Sequence, residues 1–241
     1  MATTARVAEF RKAQQDVVAL AYRDLRAFWR SVDPTDARAA VIALEAFLPE
    51  LIQAYGEIGA SVAADFYEDL REENPRVRSA YRAVMGDAVP VEQIRASARW
   101  AVGPLFSANP DGVAALARVV SMTDRYVKAI GRETVTLNVE RDPARARFAR
   151  VPSGASTCAF CLLLASRGAV YSSGREAGWQ MGKYHSHCDC VPTPVWDGDE
   201  LPYDREGILD IYKRALRESP TGELKGADGV LSKIREIEGV R

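Results

Sequence analysis

An α+β fold, predominantly α, is what this sequence predicts, and three observations carry the prediction. Apolar residues recur every three or four positions over roughly the first 135 residues, which is the helical period. Near Thr136 that period gives way to turn residues and short strand-like runs, and beyond residue 200 helical spacing returns in two short stretches. The corresponding division is a helical N-terminal domain at 1–140, a small α+β domain at 141–200 and a helical tail at 201–241.

Between Ala5 and Ser31, Val7, Phe10, Val17, Ala21, Leu25 and Phe28 mark one long amphipathic helix, its stripe widened by Val18, Leu20 and Trp29. Asp33 or Thr35 can cap the next helix, Pro49 should end or kink it, and a further helix runs to about Arg71 before Pro75. Another helix is expected at 90–102, and one opens at "NPDGVAALARVV" with Pro110 in the first helical position. Asp142 and Pro143 form a turn, followed by a basic run with Arg145, Arg147 and Arg150 and a Pro-Ser-Gly loop. "AVYSS" and "CDCVPTPVW" read as strands around the Gly-rich loop "SSGREAGWQMGK". The tail offers helices at "YDREGILDIYKRAL" and "ADGVLSKIREIE" and reads as a polar appendage with little capacity to bury itself.

With 32 Lys and Arg against 33 Asp and Glu, the net charge of -1 gives no bulk reason to bind nucleic acid or an anionic membrane. The N-terminus has no signal-peptide core and no window approaches 18 uninterrupted apolar residues, so a soluble, cytoplasmically made protein without a membrane partner is expected. In that reducing compartment cysteines serve as ligands or free thiols rather than as a disulfide framework. Arg141, Arg145, Arg147, Arg150 and Arg167 crowd the entry to the cysteine-rich stretch and read either as a DNA or acidic-partner contact or as a solvated face paired with local carboxylates.

All four cysteines and both histidines fall between 158 and 190, as C-x-x-C, a spacer of 23 residues and H-x-H-C-x-C. Two ligands three apart at a turn or helix start face the same way, and a second pair returned across a loop closes the tetrahedron that zinc takes with sulfur and nitrogen. If 185–190 were fully extended, His185 and His187 would face one side and Cys188 and Cys190 the other. A regular strand therefore adds both histidines or both cysteines to Cys158 and Cys161, and a turn or bulge at 186–188 permits a mixed set.

The alternatives are buried free thiols, a disulfide such as Cys158 to Cys190, and a cysteine nucleophile with His185 or His187 as base. A serine nucleophile at Ser156 or Ser186 would draw on the same two histidines. The deaminase order H-x-E then P-C-x-x-C is reversed here and the protease motif H-E-x-x-H is absent. A module of about sixty residues has little core, so one structural zinc per chain, whose binding free energy is also folding free energy, is the expected cofactor.

"RFARVPSGASTCAFCLLLASRGAVY" followed by "KYHSHCDCVPTPVW" resembles the Mu-F-like head morphogenesis family, the minor capsid proteins of tailed double-stranded DNA phages, including a branch labelled capsid maturation protease. The resemblance covers about 145–196 and fades over the helical part. The family's usual H-x-x-C-x-C maps onto His185, Cys188 and Cys190, which favours His185 over His187 and gives Cys158, Cys161, His185, Cys188 and Cys190 as the candidate metal ligands. The resemblance implies a protein that joins the procapsid, contacts the portal protein and the major capsid and scaffold proteins, and in some phages travels in the virion head with the packaged DNA after assembly in the host cytoplasm. The alternative it carries is a maturation protease that cleaves scaffold or capsid subunits.

Overall fold

A computed structural model describes residues 2–154, 157–173, 188 and 190–240. His185 and His187, Ser156 and Ser186, and most of the Gly-rich loop lie outside the described residues. The fold is predominantly helical with one small sheet: α1 Thr4–Trp29, α2 Ala37–Glu72, α3 Val91–Ala101, α4 Gly112–Arg141, β1 Arg147–Val151, α5 Ala159–Ala165, β2 Val191–Val195, α6 Arg205–Glu218 and α7 Val230–Glu238. A 3-10 turn, Gly103–Phe106, joins α3 to α4.

The caps follow local chemistry, at positions that differ from some expectations. Asp36, not Asp33 or Thr35, caps α2 by accepting from the Ala39 N–H, while Asp33 is held by the Thr35 N–H and hydroxyl. Asp111 caps α4 through the Ala114 N–H, which leaves Pro110 just outside the helix rather than at its first position. Pro49 neither ends α2 nor divides it. A proline here leaves the Glu45 carbonyl without its helical donor, and Arg95 of α3 approaches that carbonyl through Nε at 3.5 Å. Packing against α3 thus supplies a partner that the helix itself cannot.

α2 is long and apolar enough, by length and composition, to pass for a membrane span. In the fold it is the central helix, burying Leu44, Leu48, Ile52, Ala63, Tyr67 and Leu70 against α1, α3 and α4. It meets α4 closely at a pair of glycines. A Cβ on Gly131 would lie 2.9 Å from the Gly59 carbonyl oxygen and 2.9 Å from both polar atoms of the Gln14 amide. Gln14 fills this junction and donates to the Gly59 carbonyl at 2.7 Å.

The core forms two large clusters. One joins the second half of α1 with the first halves of α2 and α4 and with α3; the other joins Val7 and Phe10 of α1, Phe66, Tyr67 and Leu70 of α2, and Val135 and Val139 of α4 with the sheet. β1 reads from sequence only as a basic run, but it pairs antiparallel with β2, from Arg147 opposite Val195 to Val151 opposite Val191. The Phe148 N–H points away from β2, to the Tyr171 carbonyl at 2.8 Å, so Pro194 and Pro192 face non-hydrogen-bonded positions where no donor is missed. Of the strand expected at "AVYSS", only this single bridge at Tyr171 forms.

The tail is not a free appendage. Ala215 of α6 and Val230, Leu231 and Ile234 of α7 are buried against Ala159 and Leu162 of α5. The amphipathic spacing that marks these helices therefore serves a partner surface, and that surface belongs to the helix that carries Cys161.

A buried cluster of four cysteines

Cys158 is the N-cap residue of α5 and Cys161 lies in its first turn, so the C-x-x-C spacing turns both sulfurs to one side. Cys188 and Cys190 lead into β2. The sheet brings these two segments together. Cys161 Sγ lies 3.1 Å from Cys188 Sγ and 3.0 Å from Cys190 Sγ, and Cys188 and Cys190 are 3.2 Å apart. The sulfurs of Cys158, Cys161 and Cys188 all fall within 4.8 Å of one another. None of the four cysteines is in a disulfide.

This donor set fits zinc. The three sulfurs, 3.0–3.2 Å apart, are closer than the about 3.8 Å edge of a tetrahedron with zinc–sulfur bonds of about 2.3 Å, so an ion seated among them would spread them slightly, with Cys158 as a fourth donor. A soft, wholly thiolate set of this kind selects zinc over the hard cations that prefer oxygen. Cys161 and Cys190 are fully buried and Cys188 nearly so. Hydrogen bonding with Cys158, Cys188 and Cys190, together with burial, pushes the Cys161 thiol far up, and burial pushes Cys190 up to about 12. Without a cation these groups are therefore neutral thiols; a bound zinc would deprotonate them and supply a structural crosslink.

Two arginines lie against the cluster, Arg150 at its entry as the sequence places it but turned inward, and Arg132 from the helical body. The sequence groups Arg150 with the exposed arginines, yet it is 4% exposed and donates from Nη2 and Nε to Cys190 Sγ at 2.8 and 3.1 Å. Its partner across the sheet is Pro192, and continued alternation puts Cys190 on the same face, which is how the two meet. Arg132 of α4 donates to the Cys188 carbonyl at 2.8 Å and fixes that segment to the helical body. Strand alternation within "RFARV" is the signal available for turning Arg150 inward. Arg141, Arg145, Arg147 and Arg167 are exposed.

A second buried polar centre lies nearby. Asp142, just past α4, accepts from Arg71 Nε at 2.9 Å, the Tyr67 hydroxyl at 3.0 Å, the Ala144 N–H at 2.8 Å and Trp196 Nε1 at 3.3 Å. It ties α2 to the end of α4 and to the residue following β2.

Comparison with known proteins agrees with a phage origin. The chain is 28% identical over 217 residues to the Gene 15 protein of Mycobacterium phage D29, covering 73% of this chain and 74% of that protein. It is 26% identical over 206 residues to the Gene 15 protein of Mycobacterium phage L5, covering 66% of each. No solved structure matches. The family model for the VG15 protein matches residues 1–215, which takes in the helical body, the sheet and all four cysteines, and the chain belongs to this phage protein family.

Proposed function

We propose that the chain is a minor capsid, head morphogenesis protein of a tailed phage, one that joins the procapsid by binding the portal protein and the capsid or scaffold subunits. The cysteine cluster is its structural zinc site, drawn from Cys158, Cys161, Cys188 and Cys190 with His185 as the remaining candidate. The observation that carries this reading is the convergence of the C-A-F-C and C-x-C segments into one buried cluster fixed to the helical body. These are the residues on which the Mu-F-like resemblance rests, and the phage relatives supply a matching source. Assembly in the host cytoplasm and a final place inside the virion head go with the same reading, as does contact with packaged DNA through the exposed arginines.

The protease alternative finds less support. A nucleophilic cysteine needs an accessible, electropositive setting with a lowered pKa, whereas Cys161 and Cys190 are sealed from solvent and shifted the opposite way. A binding role has a surface to use. The groove of about 990 Å³ between α3 and α4 is lined by Met122, Tyr126 and Ile130, with Trp100 at its edge 67% exposed beneath the Arg118 guanidinium.

The test is co-expression with the portal, scaffold and major capsid proteins of the same phage. The proposal expects co-purification with the portal and full-length scaffold and capsid subunits. Trimming of those subunits that stops on Cys158→Ser would support the protease instead, and absence of any association would remove the assembly role.

A further inference from the structure

The proposed zinc site leaves open which ligands close it, and Arg150 bears on that choice. A guanidinium stays charged at any working pH, and a buried one is stable only against compensating negative charge. Arg150 is 4% exposed and turns Nε and Nη2 onto the same sulfur, Cys190 Sγ, at 3.1 and 2.8 Å. Nη2 also lies 3.6 Å from Cys161 Sγ and 3.9 Å from Cys188 Sγ. A neutral thiol is a weak acceptor for such a fork, whereas a thiolate is a strong one.

We infer that the metal is held by four cysteine sulfurs, with Cys190 rather than His185 completing the set, and that Arg150 balances the surplus charge of the site. This inference rests on the zinc reading above. Four thiolates on one divalent ion carry a net charge of two minus, and three thiolates with a neutral imidazole carry one minus. The guanidinium offsets half of the excess in the four-sulfur site and all of it in the three-sulfur one, so charge is compensated in either and the sulfur geometry makes the choice. Cys190 has the geometry of a ligand: its sulfur is 3.0 Å from Cys161 Sγ and 3.2 Å from Cys188 Sγ, so an ion seated on those two lies within reach of it. Arg150 is then a positioning residue, acting on the metal through N–H···S bonds to its ligands, as outer-shell partners of metal ligands commonly do.

Cobalt(II) bound to the full-length chain in place of zinc reports the ligand set, because sulfur-to-cobalt charge transfer scales with the number of thiolates bound. The inference expects superimposable spectra for the wild type and His185→Ala, and a weaker charge-transfer band for Cys190→Ser. In Arg150→Met, zinc affinity measured by chelator competition falls about 10–100-fold, and the band moves to lower energy as the thiolates lose their donors. Arg150→Lys keeps the charge without the fork and gives an intermediate shift; it also stands in if the methionine variant does not fold. A purely structural arginine would leave the band in place.

Loss of the four-sulfur spectrum in His185→Ala, or an unchanged spectrum in Cys190→Ser, overturns the ligand assignment while zinc itself stands. An unmoved band in both Arg150 variants overturns the role of Arg150. A wild-type chain that takes up neither metal overturns the zinc reading together with this inference.

Discussion

Replacing Asp142 with Asn tests the polar centre that joins the helical body to the sheet. The change is nearly isosteric but removes the charge opposite Arg71, which is only 7% exposed. Oδ2 accepts from Arg71 Nε, Tyr67 and Trp196, and Oδ1 from the Ala144 N–H and Arg71 Nη2. An amide nitrogen in either place would face donors, so no orientation of the new side chain restores the network. Removing one partner of a buried ion pair costs about 3–5 kcal/mol. Arg71 keeps its bonds to the Ser79 carbonyl and hydroxyl, which puts the expected loss toward the lower end. At about 2–4 °C per kcal/mol for a chain of this size, a loss of about 3 kcal/mol should lower the melting temperature by about 6–12 °C.

The same residue fixes a pH dependence. Burial alone would raise the Asp142 pKa, but the bonds from Arg71, the Ala144 N–H and Tyr67 outweigh it and hold the folded value below the ordinary 3.8. Its stabilisation is therefore complete above the unfolded pKa and is lost as the pH falls through the folded one. The assay is urea unfolding followed by circular dichroism at neutral pH and again below about pH 4. Asp142→Asn should be destabilised at neutral pH and should approach the wild type in acid. A loss of less than about 1 kcal/mol at neutral pH, the range of an exposed ion pair, would refute the reasoning.

Two further substitutions probe the helical packing. Gly131→Ala forces a methyl group against the Gly59 backbone carbonyl and the Gln14 amide, and overpacking of this kind should cost about 1–3 kcal/mol in chemical denaturation; an unchanged midpoint would mean that α2 and α4 do not approach so closely. Ile234→Ala should cost about 2–5 kcal/mol because Ile234 is fully buried beneath α5, and a near-zero effect would return the tail to the status of an appendage.

The long helices are legible because their apolar residues repeat along a single element, and the chain's own spacing reveals such an element without its partners. That α2 continues through Pro49 is not legible, because Arg95 reaches the Glu45 carbonyl only once α3 packs on α2. The strand at 147–151 is obscured by its arginines: Arg147 is exposed as charge would suggest, but Arg150 points inward to a sulfur 40 residues on. Asp142 reads simply as a turn residue, since neither Tyr67 nor Trp196 is near it in sequence. The tail looks polar because its apolar stripe is narrow and its partner, α5, is only 7 residues long. The cysteines are legible as a group because their number and spacing are unusual, while their arrangement depends on β1 and β2 pairing in register.

The most direct test of the account is metal content per chain on protein purified under reducing conditions, for the wild type and for Cys158→Ser, Cys161→Ser and Cys190→Ser. The account predicts one zinc per wild-type chain and its loss in each variant, with the chain less stable once zinc is removed by a chelator. A wild-type chain without metal, whose four thiols react readily in the folded state, would contradict it.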